Sequence, residues 1–229
     1  MIKTTPELFE KRTGIKYENW IQAMSIESRK SNINNKLIID KVKSYYNKEL
    51  DSITKIAMKD NAGGKIRARM GALGEKIPEL IWSYIGEEYD LENKIKKGET
   101  DKILCENQNG NTILKQVDKH CYINSILKLT IECKCWLDAS MMERANSDFR
   151  LIKEYVNNDI KSIIVSLENA TNNKSEMFIM DEGHIDKVFY LLDGKRRADM
   201  PIWKKDYRKE LNSEKINDLI NYVRVFYEI

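Results

Sequence analysis

Apolar positions in the first 60 residues recur at helical spacing. Leu37, Ile38, Val42, Tyr45 and Tyr46 fall three or four residues apart, so residues 1–60 are expected to form a polar, helical region. Asn61-Ala62-Gly63-Gly64 breaks it. Ile66, Met70, Leu73, Ile77, Leu80 and Ile81 restore the helical period. Gly74 and Pro78 argue against one straight helix, and a restart near Pro78 is an equal alternative. Residues 90–112 are charged and carry Gly98 and Gly110, which predicts a loop with one short strand around Ile103-Leu104.

The period then changes to two. Val117–Ile123 alternates, and Leu127–Cys135 alternates strictly, so both are read as strands. Asp138 and Ser140 offer N-caps, with Ser140-Met141-Met142-Glu143 fitting a capping box. The helix that follows places Met142, Ala145, Phe149, Ile152 and Val156 on one face and ends at Asn157-Asn158. Lys161–Leu167 reads as the centre of the sheet. Met177–Met180 and Val188–Leu192 read as further strands, and Ile216, Leu219, Ile220 and Val223 as a last helix. The expected class is α/β: a mixed central sheet flanked by helices, with a helical N-terminal region. One domain is expected over 1–229, with a core at 66–168 and C-terminal elements at 169–229.

Composition narrows this only slightly. At 229 residues the chain can bury a core without disulfides or metal. No apolar run reaches the 18 residues of a membrane span, so no membrane partner is expected. Met1-Ile2-Lys3-Thr4-Thr5-Pro6 lacks the apolar block of a secretion signal, and four cysteines make no disulfide framework. A reducing cytoplasm is the expected location. The net charge of +3 excludes little, because a basic cleft can coexist with an acidic exterior.

The chemistry concentrates in Ile131-Glu132-Cys133-Lys134-Cys135. On a strand, Leu127, Leu129, Ile131, Cys133 and Cys135 share the apolar face, and Lys128, Thr130, Glu132 and Lys134 the other. Glu132 and Lys134 thus lie on one side, roughly 7 Å apart. The preceding strand must meet the same apolar face, since a slip of one residue would turn its apolar side chains to water. Pairing Ile123 with Leu127 across a three-residue turn, Asn124-Ser125-Ile126, satisfies this. It places Cys121 opposite Leu129, Val117 opposite Cys133, and Asp118 opposite Glu132. Opposed carboxylates about 4.5–5.5 Å apart repel unless a cation lies between them, and hard oxygen ligands suit Mg²⁺. Lys134 stands beside that position. It could orient or help deprotonate a water, with a pKa lowered by the neighbouring cation, or stabilise developing charge.

Asp118 followed by Glu132-Cys133-Lys134 resembles the PD-(D/E)XK nuclease superfamily, and within it the type II restriction endonucleases. Val117 stands where the pattern has Pro. The segment Trp136–Ala145 is similar to the strand-to-helix continuation of such enzymes. The resemblance covers roughly residues 66–168. It implies Mg²⁺-dependent hydrolysis of double-stranded DNA at a short specific sequence, by a homodimer on a palindromic site. It also implies a Glu on the helix before the first catalytic strand, for which Glu75 is the best match and Glu79 the second. Lys195-Arg196-Arg197, otherwise a solvated cluster, becomes a candidate for phosphate or guanine contacts.

Plainer readings of the same residues exist. Glu132 and Lys134 could be the solvated face of an edge strand. Against that, flanking apolar segments should cover the sheet, and a covered acid and lysine need a reason. Cys121, Cys133, Cys135 and His120 could suggest zinc, but the cysteines and His120 fall on opposite faces, so core cysteines are expected. His184 reads as a turn residue, and Trp136 and Trp203 as packing residues. Two rival functions remain: a repair or recombination nuclease of the same fold, and a non-catalytic DNA-binding protein.

Overall fold

The computed structural model describes residues 17–58, 63–88, 95–123 and 126–227, with the helix and strand residues 17–34, 87–88 and 95–96 described by their backbone alone. The chain divides into two compact units, Met1–Asp40 and Lys41–Ile229. The first contributes the opening part of helix α1 (Tyr17–Ala57). The second contains the rest of α1 and every other element.

These are α2 (Gly63–Glu88), β1 (Ile95–Lys97), β2 (Ile103–Glu106), β3 (Thr112–Lys115), β4 (Lys119–Ile123), β5 (Ile126–Leu137), α3 (Ala139–Tyr155), β6 (Lys161–Asn169), α4 (Asn173–Asp181), β7 (Lys187–Tyr190), a 3₁₀ turn (Lys205–Tyr207) and α5 (Ser213–Tyr227). Five strands form one mixed sheet in the order β1-β4-β5-β6-β7. The β1-β4 and β4-β5 pairs are antiparallel, and β5-β6 and β6-β7 are parallel. Strands β2 and β3 pair separately. Helices cover both faces, as the resemblance implies.

Strand β5 is the middle of the sheet, and β6 is the strand beside it. The near-continuous burial of Ser162–Glu168 reflects cover on both faces, which any interior strand shares. Ile164 packs with Met142, Ala145, Phe149 and Ile152 of α3 in one apolar cluster. Ile163 and Val165 turn to the opposite face, against which α2 packs on β5 and β6.

Helix α2 is continuous through Gly74 and Pro78. Gly74 marks a close approach instead of a break. A Cβ there would lie 2.6 Å from the Cys135 nitrogen and 2.8 Å from the Lys134 carbonyl carbon, so only glycine lets α2 come down on β5 at this point.

Four other expectations are corrected. Met177–Met180 belongs to helix α4, whose Asn172 cap accepts a hydrogen bond from the Ser175 N–H at 2.9 Å. The 90–112 region contributes β1, β2 and the start of β3, and β1 adds to the main sheet. Helix α3 is capped by Asp138, whose carboxylate accepts from the Met141 N–H at 2.9 Å and from the Ser140 hydroxyl, in place of a box begun by Ser140. Strand Val188–Leu192 runs instead from Lys187 to Tyr190. Among the described residues, no helix is long and apolar enough to cross a membrane.

Candidate active site

The strand alternation holds along β5 except at Thr130, which is buried. Leu129, Ile131, Cys133 and Cys135 are buried, while Glu132 and Lys134 are partly exposed. Strand β4 pairs Cys121 with Leu129, His120 with Thr130 and Lys119 with Ile131. Continued by one residue, that ladder sets Asp118 level with Glu132. The turn end differs from expectation. The register shifts between Cys121 and Tyr122, so Ile123 meets Ile126 and Tyr122 meets Leu127. This bulge is confined to the turn side and leaves the Asp118 end in register.

Asp118 lies just before β4, and its carboxylate is fixed by β5. Oδ2 accepts a hydrogen bond from the Cys133 N–H at 2.7 Å and meets Lys134 Nζ at 3.4 Å. Lys134 Nζ also donates to Glu132 Oε1 at 2.5 Å. The three side chains are each about one-fifth to one-quarter exposed. Two carboxylates from neighbouring strands therefore converge on one ammonium. Burial, and then the nearby Asp118 charge, pushes the Glu132 carboxyl up from its ordinary value. For Lys134, burial alone would lower the pKa. Glu132 and then Asp118 outweigh it, so the direction is upward, opposite to that expected beside a metal cation.

Glu75 and Asp118 line one open cleft of about 500 Å³, together with Glu79, Lys97, Glu99 and Lys119. Glu132 and Lys134 are not part of that lining and meet Asp118 from its β5 side. Burial raises the Glu75 carboxyl, and the Asp118 charge raises it further. Glu79 receives Lys76 at 2.5 Å, Lys119 at 3.3 Å and Lys97 at 3.6 Å. Burial would raise its pKa, but the hydrogen bonds from Lys76 and Lys119 hold it below the usual value. Lys119 was not singled out from the sequence. Its only signal there was a charged residue inside an otherwise apolar strand, next to Asp118.

Lys195, Arg196 and Arg197 lie away from this cleft's lining, beyond the end of β6. Lys195 Nζ donates to Asn169 Oδ1 at 3.0 Å and to the Thr171 carbonyl at 2.6 Å. Arg196 stacks on the Trp136 ring at 4.5 Å and faces the buried Glu168 carboxylate at 3.9 Å, which Lys209 also reaches at 2.9 Å. Arg197 is exposed and pairs with Asp199 at 3.1 Å. Trp136 is on the same face of β5 as Glu132 and Lys134, two residues beyond the lysine.

All four cysteines are free and buried. His120 is buried, with its Nδ1 3.0 Å from the Tyr122 hydroxyl. Among the described residues, no three His, Cys, Asp or Glu side chains gather into a group that could hold a metal ion. The Asp118–Glu132 pair presents two hard carboxylates to a single cation position, where the Lys134 ammonium stands. That donor chemistry fits a small hard divalent ion.

No family model matches the chain. It is 28% identical over 197 residues to the type II restriction enzyme DdeI of Desulfomicrobium norvegicum, a match covering 71% of this chain and 82% of that enzyme. Distant as it is, this similarity reaches over most of both lengths, to a restriction enzyme.

Proposed function

We propose that this chain is a Mg²⁺-dependent, site-specific endonuclease that hydrolyses phosphodiester bonds of double-stranded DNA in the manner of a type II restriction enzyme. The observation that carries the reading is the convergence of Asp118, just before β4, and Glu132, on β5, on Lys134, with the Asp118 carboxylate fixed by the Cys133 N–H. The similarity to a type II restriction enzyme supports the same reading.

Asp118 and Glu132 would hold the ion. When bound, it would polarise a phosphodiester oxygen and favour ionisation of a bound water. The chain's own groups do the rest. Lys134 offers an ammonium beside both carboxylates, able to orient a water or to stabilise charge on the phosphorane-like transition state. The Cys133 N–H holds Asp118 in one orientation, so its carboxylate needs no reorganisation when substrate arrives. Glu75, on α2, lines the same cleft as Asp118 and adds a further carboxylate there. Arg196 and Arg197 supply cations for phosphates or base edges beyond Trp136. Cutting both strands at a symmetric site calls for two copies of the chain related by a two-fold axis.

The test is digestion of supercoiled plasmid with purified protein and Mg²⁺, followed by sequencing of the ends. Discrete bands sharing one end sequence support site-specific cutting. A smear or structure-dependent nicking would point to a repair or recombination nuclease, and no cleavage with retained DNA binding to a non-catalytic DNA-binding protein.

A further inference from the structure

Lys119 is the residue after Asp118, and its side chain is only 4% exposed. It pairs with Ile131, so it takes the α2 face of the sheet. There it meets two acids one helical turn apart, Glu79 at 3.3 Å and Glu75 at 3.9 Å. Burying an ammonium in this way is costly unless it is paired, and a single acid would suffice to pair it. Glu79 is already supplied with Lys76 and Lys97. Among the described residues, Glu75 makes one ion pair. Its ion-pair partner is Lys119, and the Asp118 charge acts against its ionised form.

We infer that Lys119 is a positioning residue, whose buried ammonium, anchored by Glu79, holds the Glu75 carboxylate in the cleft beside Asp118. The inference rests on the nuclease reading and on the place of Glu75 in it. Glu79, the more buried of the two acids, fixes the ammonium. The ammonium then offsets the repulsion between Glu75 and Asp118 where both line the same cleft. The chain thereby ties α2 to the strand that carries Asp118 through one charge, close to where Gly74 brings α2 onto β5.

The experiment is a double-mutant cycle read by single-turnover cleavage of a cognate duplex with Mg²⁺, alongside DNA affinity measured with Ca²⁺. Glu75→Gln, Lys119→Met and the double variant are compared. Lys119→Met should slow cleavage by about 10- to 100-fold, the usual range for a group that orients a ligand at a metal site, with affinity little changed. In the Glu75→Gln background the same change should add less than about twofold, because its target is already gone. A merely structural lysine would cost the same factor in both backgrounds, and that result overturns the inference. Wild-type cleavage by Lys119→Met or by Glu75→Gln overturns it too. If Lys119→Met does not fold, Glu79→Gln, at a partly exposed position, takes its place. It should slow cleavage and again be non-additive with Glu75→Gln, and additivity would again refute the role. Failure of the wild-type protein to cut any duplex removes the nuclease reading and this inference together. An active wild type with an indifferent Lys119 removes this inference alone.

Discussion

The Cys133 N–H donates to the Asp118 carboxylate at 2.7 Å, so the middle residue of Glu132-Cys133-Lys134 anchors an acid from the neighbouring strand. A backbone donor at this position cannot be removed by changing the Cys133 side chain. The two carboxylates are therefore set by strand register, and Lys134 reaches both. Replacing either acid should abolish function without dismantling the sheet. Asp118→Ala and Glu132→Ala are each expected to slow cleavage by about 100-fold or more. DNA binding in Ca²⁺ should persist or tighten, since a negative charge facing phosphate is lost. A gel-shift assay beside a cleavage time course checks both halves.

Gly74→Ala should act through packing. The new Cβ would press on the backbone of Lys134 and Cys135, which cannot yield as a flexible side chain does. Overpacking of this kind costs about 1–3 kcal/mol. Urea unfolding should show that loss, and cleavage should fall further than Gly71→Ala makes it fall, because Gly71, on the same helix, has open space around its Cα.

Arg196 and Arg197 should separate. Arg196→Ala loses the stack on Trp136, worth about 0.5–2 kcal/mol, and takes one of two cations from the buried Glu168 among the described residues. It is expected to lower both stability and DNA affinity. Arg197→Ala changes an exposed residue and should alter stability by less than about 0.5 kcal/mol. If it contacts a phosphate, affinity should fall on all sequences and the salt slope by about 1. If it reads a base edge, discrimination should relax at one position. Unchanged binding in the double variant would remove the segment from the DNA interface.

Asp186 predicts an acid-sensitive step in stability. Its carboxylate accepts from the Ser162 N–H at 2.7 Å and pairs with the buried Lys153 at 2.8 Å. Burial would raise its pKa, but Lys153 and the Ser162 N–H outweigh this and hold it below the usual carboxylate range. A carboxyl depressed in the folded state stabilises above its unfolded pKa of about 4, and that contribution is lost as pH falls through the folded value. Asp186→Asn should therefore cost about 2–3 kcal/mol at neutral pH. The gap from wild type should close below about pH 4. A gap independent of pH would contradict the assignment.

Much of the site could be read from the sequence because period-two alternation dictates faces, and an apolar face dictates register. That reasoning brought Asp118 level with Glu132 even though the turn itself was misplaced by the bulge at Cys121/Tyr122. What could not be read depends on contacts distant in sequence. Gly74 looks like a helix breaker until β5 lies under it. Lys119 falls on the apolar side of its strand with no visible partner until α2 brings Glu75 and Glu79 to it. Met177–Met180 looked like a strand because four apolar residues carry no period. The Asn172 cap, and Glu176 in the first turn, were the local helix signals. The sheet's middle strand was mistaken for β6 because burial on both faces marks an interior strand without ranking it.

Lys134 gives the most direct test. On a solvated strand face, Lys134→Met would cost little, since exposed substitutions rarely exceed about 0.5 kcal/mol. Between Asp118 and Glu132, it should not be tolerated. The measurement is single-turnover cleavage by Lys134→Met with saturating enzyme and Mg²⁺, with folding and Ca²⁺-supported DNA binding verified on the same preparation. The predicted result is a folded protein that binds DNA and cuts it orders of magnitude more slowly than wild type. Cleavage near the wild-type rate would reduce Glu132-Cys133-Lys134 to a surface coincidence and contradict the nuclease assignment.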